Sequence, residues 1–225
     1  MPLSHYFDTT PSGPSAPRTV LLALPDLTLE LTTDRGVFSA EHVDPGTRLL
    51  LQEVPPPPGG DLLDLGCGYG PIAVTMARRA PASRVWAVDV NARARALTTA
   101  NAGALGATNV EVSGPDELPA DLRFSALYSN PPIRVGKAPL HALLATWIPR
   151  ADVAYLVVSK HLGADSLARW METEHGWQVQ RRVSRVGYRL LEIHPRPPAD
   201  VEPPADVEPP AAGGENAGSG DGRER

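Results

Sequence analysis

Three short stretches combine residue types that could bind a ligand and act on it. The segment YSNPPIRVGK, Tyr128 to Lys137, ends a strand-like run in Asn130-Pro131-Pro132. Two adjacent prolines remove two backbone donors and hold the chain in an extended path. The turn therefore presents an Asn amide beside bare carbonyls. The segment DLLDLGCGYGPIAV, Asp61 to Val74, reads as a strand, a Gly-rich turn and a helix. Gly66, Gly68 and Gly70 let the backbone turn tightly and approach a ligand. Pro71 suits the first helical position. The free N–H groups there suit an anionic group such as a carboxylate or phosphate; a merely tight β–α turn would look the same. The dinucleotide pattern G-x-G-x-x-G is not met, because the third Gly comes one residue early and Pro71 stands in its place. Asp64 sits two residues before the first Gly, where dinucleotide binders are usually apolar. An acid beside such a turn can bind a ligand ammonium, so a cofactor with an amino acid end fits better than a pyrophosphate.

The third stretch, RVWAVDVN, ends a strand in Asp89, 25 residues after Asp64. An acid at the end of the second strand can take both ribose hydroxyls. The alternative for Asp89 is a helix cap, a role that Asn91 already offers. Further on, SGPDEL puts Asp116 and Glu117 on a loop. One of them could accept a hydrogen bond from an adenine amine, or both are plain surface acids. Arg134 and Lys137 follow the Pro-Pro turn, and Lys160 ends the run VVSK. They are candidates for phosphate contact; a helix start or an internal ion pair would use them equally well. Cys67 reads as a small residue inside the turn rather than a reactive thiol. The six His show no metal spacing. Three of the four Trp (86, 147, 170) fall in predicted strands or helix faces and Trp177 borders the strand at 178–183, so core packing is the default for them.

These residues need a frame. Short apolar runs at 62–65, 84–88, 110–112, 124–129 and 153–159 alternate with amphipathic stretches at 71–79, 92–104, 138–147 and 164–174. That order predicts a mostly parallel sheet covered on both faces. Two more strands, 178–183 and 188–193, are joined only by Ser184–Gly187, too short for a crossover, so they form an antiparallel hairpin. Ligands of such sheets bind at the carboxyl ends of the strands. Asp64, Asp89, Asp116 and Asn130 would then lie along one edge. Before the Gly-rich turn, a lead-in over 1–58 holds a plausible hairpin, 19–23 with 27–31, and a short helix over 47–54 that starts near Asp44-Pro45.

Composition limits the classes. The chain has 225 residues, 42% hydrophobic, enough for one domain with a real core. Net charge is -5, and most of it belongs to the tail from 195 onward, which carries three Arg against seven Asp and Glu. The remaining body is near neutral and permits a local basic rim for RNA. PPADVE occurs twice in that tail, and such a segment buries too little apolar area to order itself. A single cysteine excludes a disulfide framework and a cysteine-built metal site. The N-terminus has no signal-peptide pattern and no run reaches membrane-helix length, so a cytoplasmic protein is expected.

In combination, DLGCGYG, AVDVN and SNPP resemble the class I S-adenosylmethionine-dependent methyltransferases. The body is similar to the methyltransferase small domain group, which includes ribosomal RNA guanine-N2 methyltransferases of the RsmC type. GVFSAEHVDPGTRLLL, NPPIRVGK and VVSKHLGADSL are part of that similarity, which spans about 17–194. The resemblance implies a Rossmann-like α/β fold with a seven-stranded sheet and an antiparallel C-terminal hairpin. The sequence itself divides the chain into a lead-in (1–58), a main body (59–194), which the resemblance makes the S-adenosylmethionine-binding domain, and a Pro-rich acidic tail (195–225) expected to be disordered. The resemblance implies that Asp64, Gly66, Cys67, Gly68, Gly70, Asp89, Val90, Asp116 and Asn130 contact the cofactor. Asn130 and Pro131 would hold a planar amine, with the Asn oxygen and the first Pro carbonyl accepting its hydrogens. Pro132 stiffens the turn. The next position, usually aromatic in nucleic-acid amine methyltransferases, is Ile133, which removes one argument for base stacking; Phe38 or Tyr69 could meet another face of the base.

The activity implied is N-methylation of an exocyclic guanine amine in ribosomal RNA, with Arg134, Lys137 and Lys160 on the substrate side. RNA is the implied partner, with no membrane and no metal, and a monomer is compatible with it. Methylation of a glutamine amide or of adenine stays open, as does a weakly catalytic cofactor- or RNA-binding module. A nicotinamide oxidoreductase is disfavoured by the shortened Gly pattern, the Asn-Pro-Pro turn and the terminal hairpin.

Overall fold

The computed structural model describes residues 14–195. The Pro-rich acidic tail (195–225), expected to be disordered, lies outside the described residues apart from Pro195. The lead-in opens with an antiparallel hairpin, β1 (Arg18–Ala23) and β2 (Thr28–Thr33), in which Leu22 pairs with Leu29 and Val20 with Leu31. Its burial alternates: Val20, Leu22, Leu29 and Leu31 face inward, and their neighbours face solvent. Helix α1 (Pro45–Glu53) follows, capped by Asp44, whose carboxylate accepts the Thr47 N–H at 3.0 Å. It begins two residues earlier than the predicted span, because Pro45 needs no hydrogen-bonding partner at a first-turn position.

The body is a seven-stranded sheet of β3 (Leu62–Leu65), β4 (Val85–Val88), β5 (Val110–Ser113), β6 (Ala126–Ser129), β7 (Ala154–Ser159), β8 (Gln178–Arg185) and β9 (Tyr188–His194). The spatial order is β5-β4-β3-β6-β7-β9-β8. The first five strands are parallel; β9 runs antiparallel between β7 and β8. β3 and β6 are buried at every residue, as expected where helices cover both faces. Side chains alternate between two cores. Leu62 and Tyr128 face the layer of the lead-in, α2 (Pro71–Arg79) and α3 (Ala92–Ala104). Leu63 and Leu127 face the layer of α4 (Lys137–Trp147) and α5 (Ala164–His175). The lead-in thus completes one face of the sheet. Phe124, predicted as the first residue of β6, makes only an isolated bridge to Ala151 before the ladder proper.

Strand order reverses direction between β3 and β6, which makes the crevice at their carboxyl ends the place for a ligand. The β8–β9 turn reaches the same end of the sheet, since Tyr188 pairs with Ser159 at the end of β7. Both of its residues have positive φ, Val186 at 51° and Gly187 at 80°. That is the two-residue hairpin geometry for which Asn-Gly or Asp-Gly is suited. A β-branched residue there costs about 1–2 kcal/mol.

Candidate active site

The Gly-rich turn joins β3 to α2 at the crevice. Gly68 (φ 60°) and Gly70 (φ 90°) both take left-handed backbone, and a Cβ on Gly70 would come within 3.0 Å of Thr98. The loop is pinned from several sides. Gly66 N–H and Cys67 N–H donate to the Val88 carbonyl at 2.8 and 3.0 Å. Gly68 N–H donates to Asp89 Oδ2 at 2.9 Å, and the Thr98 hydroxyl donates to the Gly68 carbonyl at 2.9 Å. Asn101, buried on α3, donates from Nδ2 to the Tyr69 carbonyl at 2.7 Å. Its amide also exchanges two 2.8 Å bonds with the backbone of Thr32, so it ties β2 to the loop.

Asp64 lies one residue inside β3 and is fully buried. Its Oδ2 accepts the Ala73 N–H at 2.9 Å, whereas Oδ1 has no hydrogen-bond partner. Burial pushes its carboxyl up to about 8, against the opposing pull of the Ala73 bond. Asp89, at the end of β4, accepts the Asn91 N–H at 2.8 Å through its other oxygen, and burial raises its pKa. The helix cap is Asn91, which accepts from Arg93 N–H and Ala94 N–H. Val90 is exposed beside Asp89. Burial holds the Cys67 thiol well above its ordinary value, which leaves it a small packing residue. Of the two loop acids, Glu117 reaches back to the Gly114 N–H at 2.7 Å; Asp116 remains exposed on the rim after β5.

Asn130 leaves β6 on the other side of the crevice. Its Nδ2 donates to Asp44 Oδ2 at 2.8 Å and to the Thr47 hydroxyl at 3.0 Å. A carboxylate only accepts, so the NH₂ end of the amide must face Asp44 and the oxygen must face away from it. Pro132 has φ −74° and ψ 71°, and the Pro131 carbonyl accepts the Ile133 N–H at 2.8 Å. The Asn-Pro-Pro turn is therefore an inverse γ-turn. One lone pair of the Pro131 carbonyl is already taken, and one remains. Ile133 packs against the core on the α4 side, not into the crevice.

Asp44, Thr47 and Asn130 form one wall of a cleft whose empty space is about 380 Å³, its open mouth included. Residues 66–69 with Pro71 and Ile72 also line it, as do Phe38 and Ser39. The structure brings the Gly loop and Asn130 onto this one cleft and sets Asp64 and Asp89 beneath the loop. Arg134, Lys137 and Lys160 stand outside it, exposed on the rim. Sequence reading missed Asp44, Thr47 and Asn101 as parts of the site. Among the described residues, no cluster of His, Cys, Asp or Glu could hold a metal ion, and no helix is long and apolar enough to cross a membrane.

A parallel sheet with this switch-point cleft and an antiparallel terminal hairpin is the frame of a Rossmann-like methyltransferase. The family model described as "Methyltransferase small domain" matches residues 28–173, and the chain belongs to that family. The uncharacterized protein YbxB of Bacillus subtilis is 35% identical over 175 residues, covering 75% of this chain and 87% of that one. Ribosomal RNA small subunit methyltransferase C of Pseudomonas putida is 41% identical over 115 residues, covering 51% of this chain and 35% of that one. The solved structure of the Thermus thermophilus 16S rRNA N2 G1207 methyltransferase (RsmC), in complex with AdoMet and guanosine, superposes with a TM-score of 0.67 at 23% identity. It shares the fold over 83% of this chain and 52% of that one. The chain thus spans about a third to a half of these RsmC proteins.

Proposed function

We propose that this protein is an S-adenosylmethionine-dependent N-methyltransferase that acts on an exocyclic guanine amine (N2) of ribosomal RNA. The observation that carries the reading is the Asn130 amide, fixed by Asp44 and Thr47 with its oxygen directed away from both, in the cleft of the Gly loop. An amine conjugated to a base is a poor nucleophile because its lone pair is delocalised. The Asn130 oxygen and the remaining lone pair of the Pro131 carbonyl are acceptors for its two hydrogens. Held so, the amine presents its lone pair toward the cleft. Alignment and fixed dipoles then supply the catalysis.

The residues present fit the cofactor. The buried, unpartnered Asp64 Oδ1 suits a ligand cation, and a Cβ at Gly66 or Gly68 would meet nothing within 4 Å, so the loop leaves room for close approach. Asp89 suits ribose hydroxyls, and Val90, Asp116, Cys67 and Gly70 complete the cofactor side. S-adenosylmethionine supplies a methyl group already activated on a sulfonium. Pro132 and Ile133 set the turn that aims Asn130, Arg134, Lys137 and Lys160 serve the RNA, and the segment before Gly59 completes the site. The ribosomal RNA assignment is favoured by the 41% identity to the P. putida enzyme, and the guanine assignment by the guanosine complex of the T. thermophilus structure.

The test is transfer of labelled methyl from S-adenosylmethionine to RNA and protein fractions of a strain lacking the gene, followed by digestion to nucleosides and amino acids. Label in N2-methylguanosine is expected. Label in methyladenine or methylglutamine replaces the substrate, and no label in any fraction overturns the reading.

A further inference from the structure

The β8–β9 turn is built against its own backbone preference. Val186 sits in the left-handed region, where Asn or Asp before Gly187 would relieve the geometry. Packing does not compensate, because Val186 is 72% exposed. An apolar side chain held at such a position while mostly exposed points to a contact outside the chain.

Its location narrows that contact. The Gly187 carbonyl accepts the Lys160 N–H at 2.8 Å. Across that bond, Leu162 ends a short 3₁₀ turn (Lys160–Leu162) and is 48% exposed. One residue beyond Gly187, the Tyr188 hydroxyl donates to Asp44 Oδ1 at 3.3 Å, and Asp44 holds Asn130. Two apolar tips therefore stand on the rim beside the amine-binding turn.

Charge decides the class of partner. Arg134, Lys137 and Lys160 are exposed on the same strand-end rim and join no ion pair among the described residues. Arg185 and Arg189 of the hairpin are by contrast held by Glu53 and Asp165. Lys137 opens α4, where the helix dipole disfavours a cation. Protein interfaces are depleted in Lys; unpaired cations around apolar tips instead match a phosphate backbone with bases between.

We infer that the β8–β9 tip and the 160–162 turn form a docking edge for structured RNA. Val186 and Leu162 wedge against bases next to the target, and Arg134, Lys137 and Lys160 hold the flanking phosphates. Extruding a base costs unstacking, and apolar side chains can wedge between base steps on nucleic acids. This deepens the proposed function and rests on it.

The test measures affinity for deproteinised ribosomal RNA, from a strain lacking the gene, alongside affinity for S-adenosylmethionine and thermal stability. Val186→Asn suits the turn, so Tm is expected to rise by about 2–4 °C. Cofactor affinity is expected to stay unchanged and RNA affinity to fall about ten-fold. Lys160→Ala is expected to weaken RNA binding and to reduce its salt slope by about one unit. Wild-type RNA affinity in Val186→Asn overturns the docking edge while leaving the methyltransferase reading intact. A wild-type protein that neither binds nor methylates RNA overturns both. Loss by the variants on intact ribosomal subunits but not on naked RNA makes a ribosomal protein the partner and overturns the RNA assignment.

Discussion

Asn130 and Asp44 lie 86 residues apart in sequence and are joined by a 2.8 Å bond from Nδ2 to Oδ2. The bond sets the sense of the amide. The same carboxylate caps α1 through the Thr47 N–H and takes the Tyr188 hydroxyl. One residue thus ties the lead-in, the Asn-Pro-Pro turn and the terminal hairpin together at the cleft. Asp44→Ala removes the acceptor that orients the amide, and turnover is expected to fall by about ten- to a hundred-fold. The lost cap lowers stability by about 1 kcal/mol. Asp44→Asn keeps an oxygen for both roles and should retain more turnover than the Ala variant. Steady-state kinetics beside calorimetric cofactor affinity checks this. Equal losses in kcat and in cofactor binding would mean a purely structural role.

Deleting the amide itself is the sharper change. Asn130→Ala leaves the prolines and the γ-turn in place and removes one of two acceptors for the amine. Turnover is expected to drop by about 10²–10³-fold, with S-adenosylmethionine binding retained. Normal turnover by this variant would refute the role given to Asn130.

The sheet was legible because its signals are local. Buried parallel strands read as short apolar runs, and the four-residue link at 184–187 could only be a hairpin. The strand-end residues followed from spacing alone. Asp44 was legible only as a helix start, since nothing beside it in sequence announces a partner in β6. Asn101 is a mid-helix residue whose bonds go to β2 and to the Gly loop, so its role exists only after the layers pack. Asp116 and Glu117 looked alike in the sequence. The fold separates them, because a Glu three residues after a turn start can reach back to the free N–H.

Asp89 carries two loads. It accepts the Gly68 and Asn91 N–H groups, and the reading gives it the ribose hydroxyls as well. Asp89→Ala releases the loop and removes the ribose contact together. Cofactor affinity is expected to fall by at least about ten-fold, the scale of a lost charge-assisted bond. Asp89→Asn keeps one acceptor and should lie between. Isothermal titration with S-adenosylmethionine measures both, and unchanged affinity in the Ala variant counts against ribose recognition.

Asp64 gives a pH signature with a definite sign. Burial pushes its carboxyl up to about 8 in the folded chain, from an ordinary value of 3.8. Between those values the folded chain holds a proton that the unfolded chain has released. Stability therefore falls as pH rises through this window, and the penalty is complete above about 8. Asp64→Asn keeps the acceptor for the Ala73 N–H and removes the titration. Without ligand, the variant should gain on the wild type as pH rises from about 5 to about 9, followed by thermal unfolding. A ligand cation beside Oδ1 favours the carboxylate, so S-adenosylmethionine should shrink that gain. Parallel stability curves for the two proteins across the range would remove Asp64 as the buried titrating group, and a gain untouched by the cofactor would separate it from the cation site.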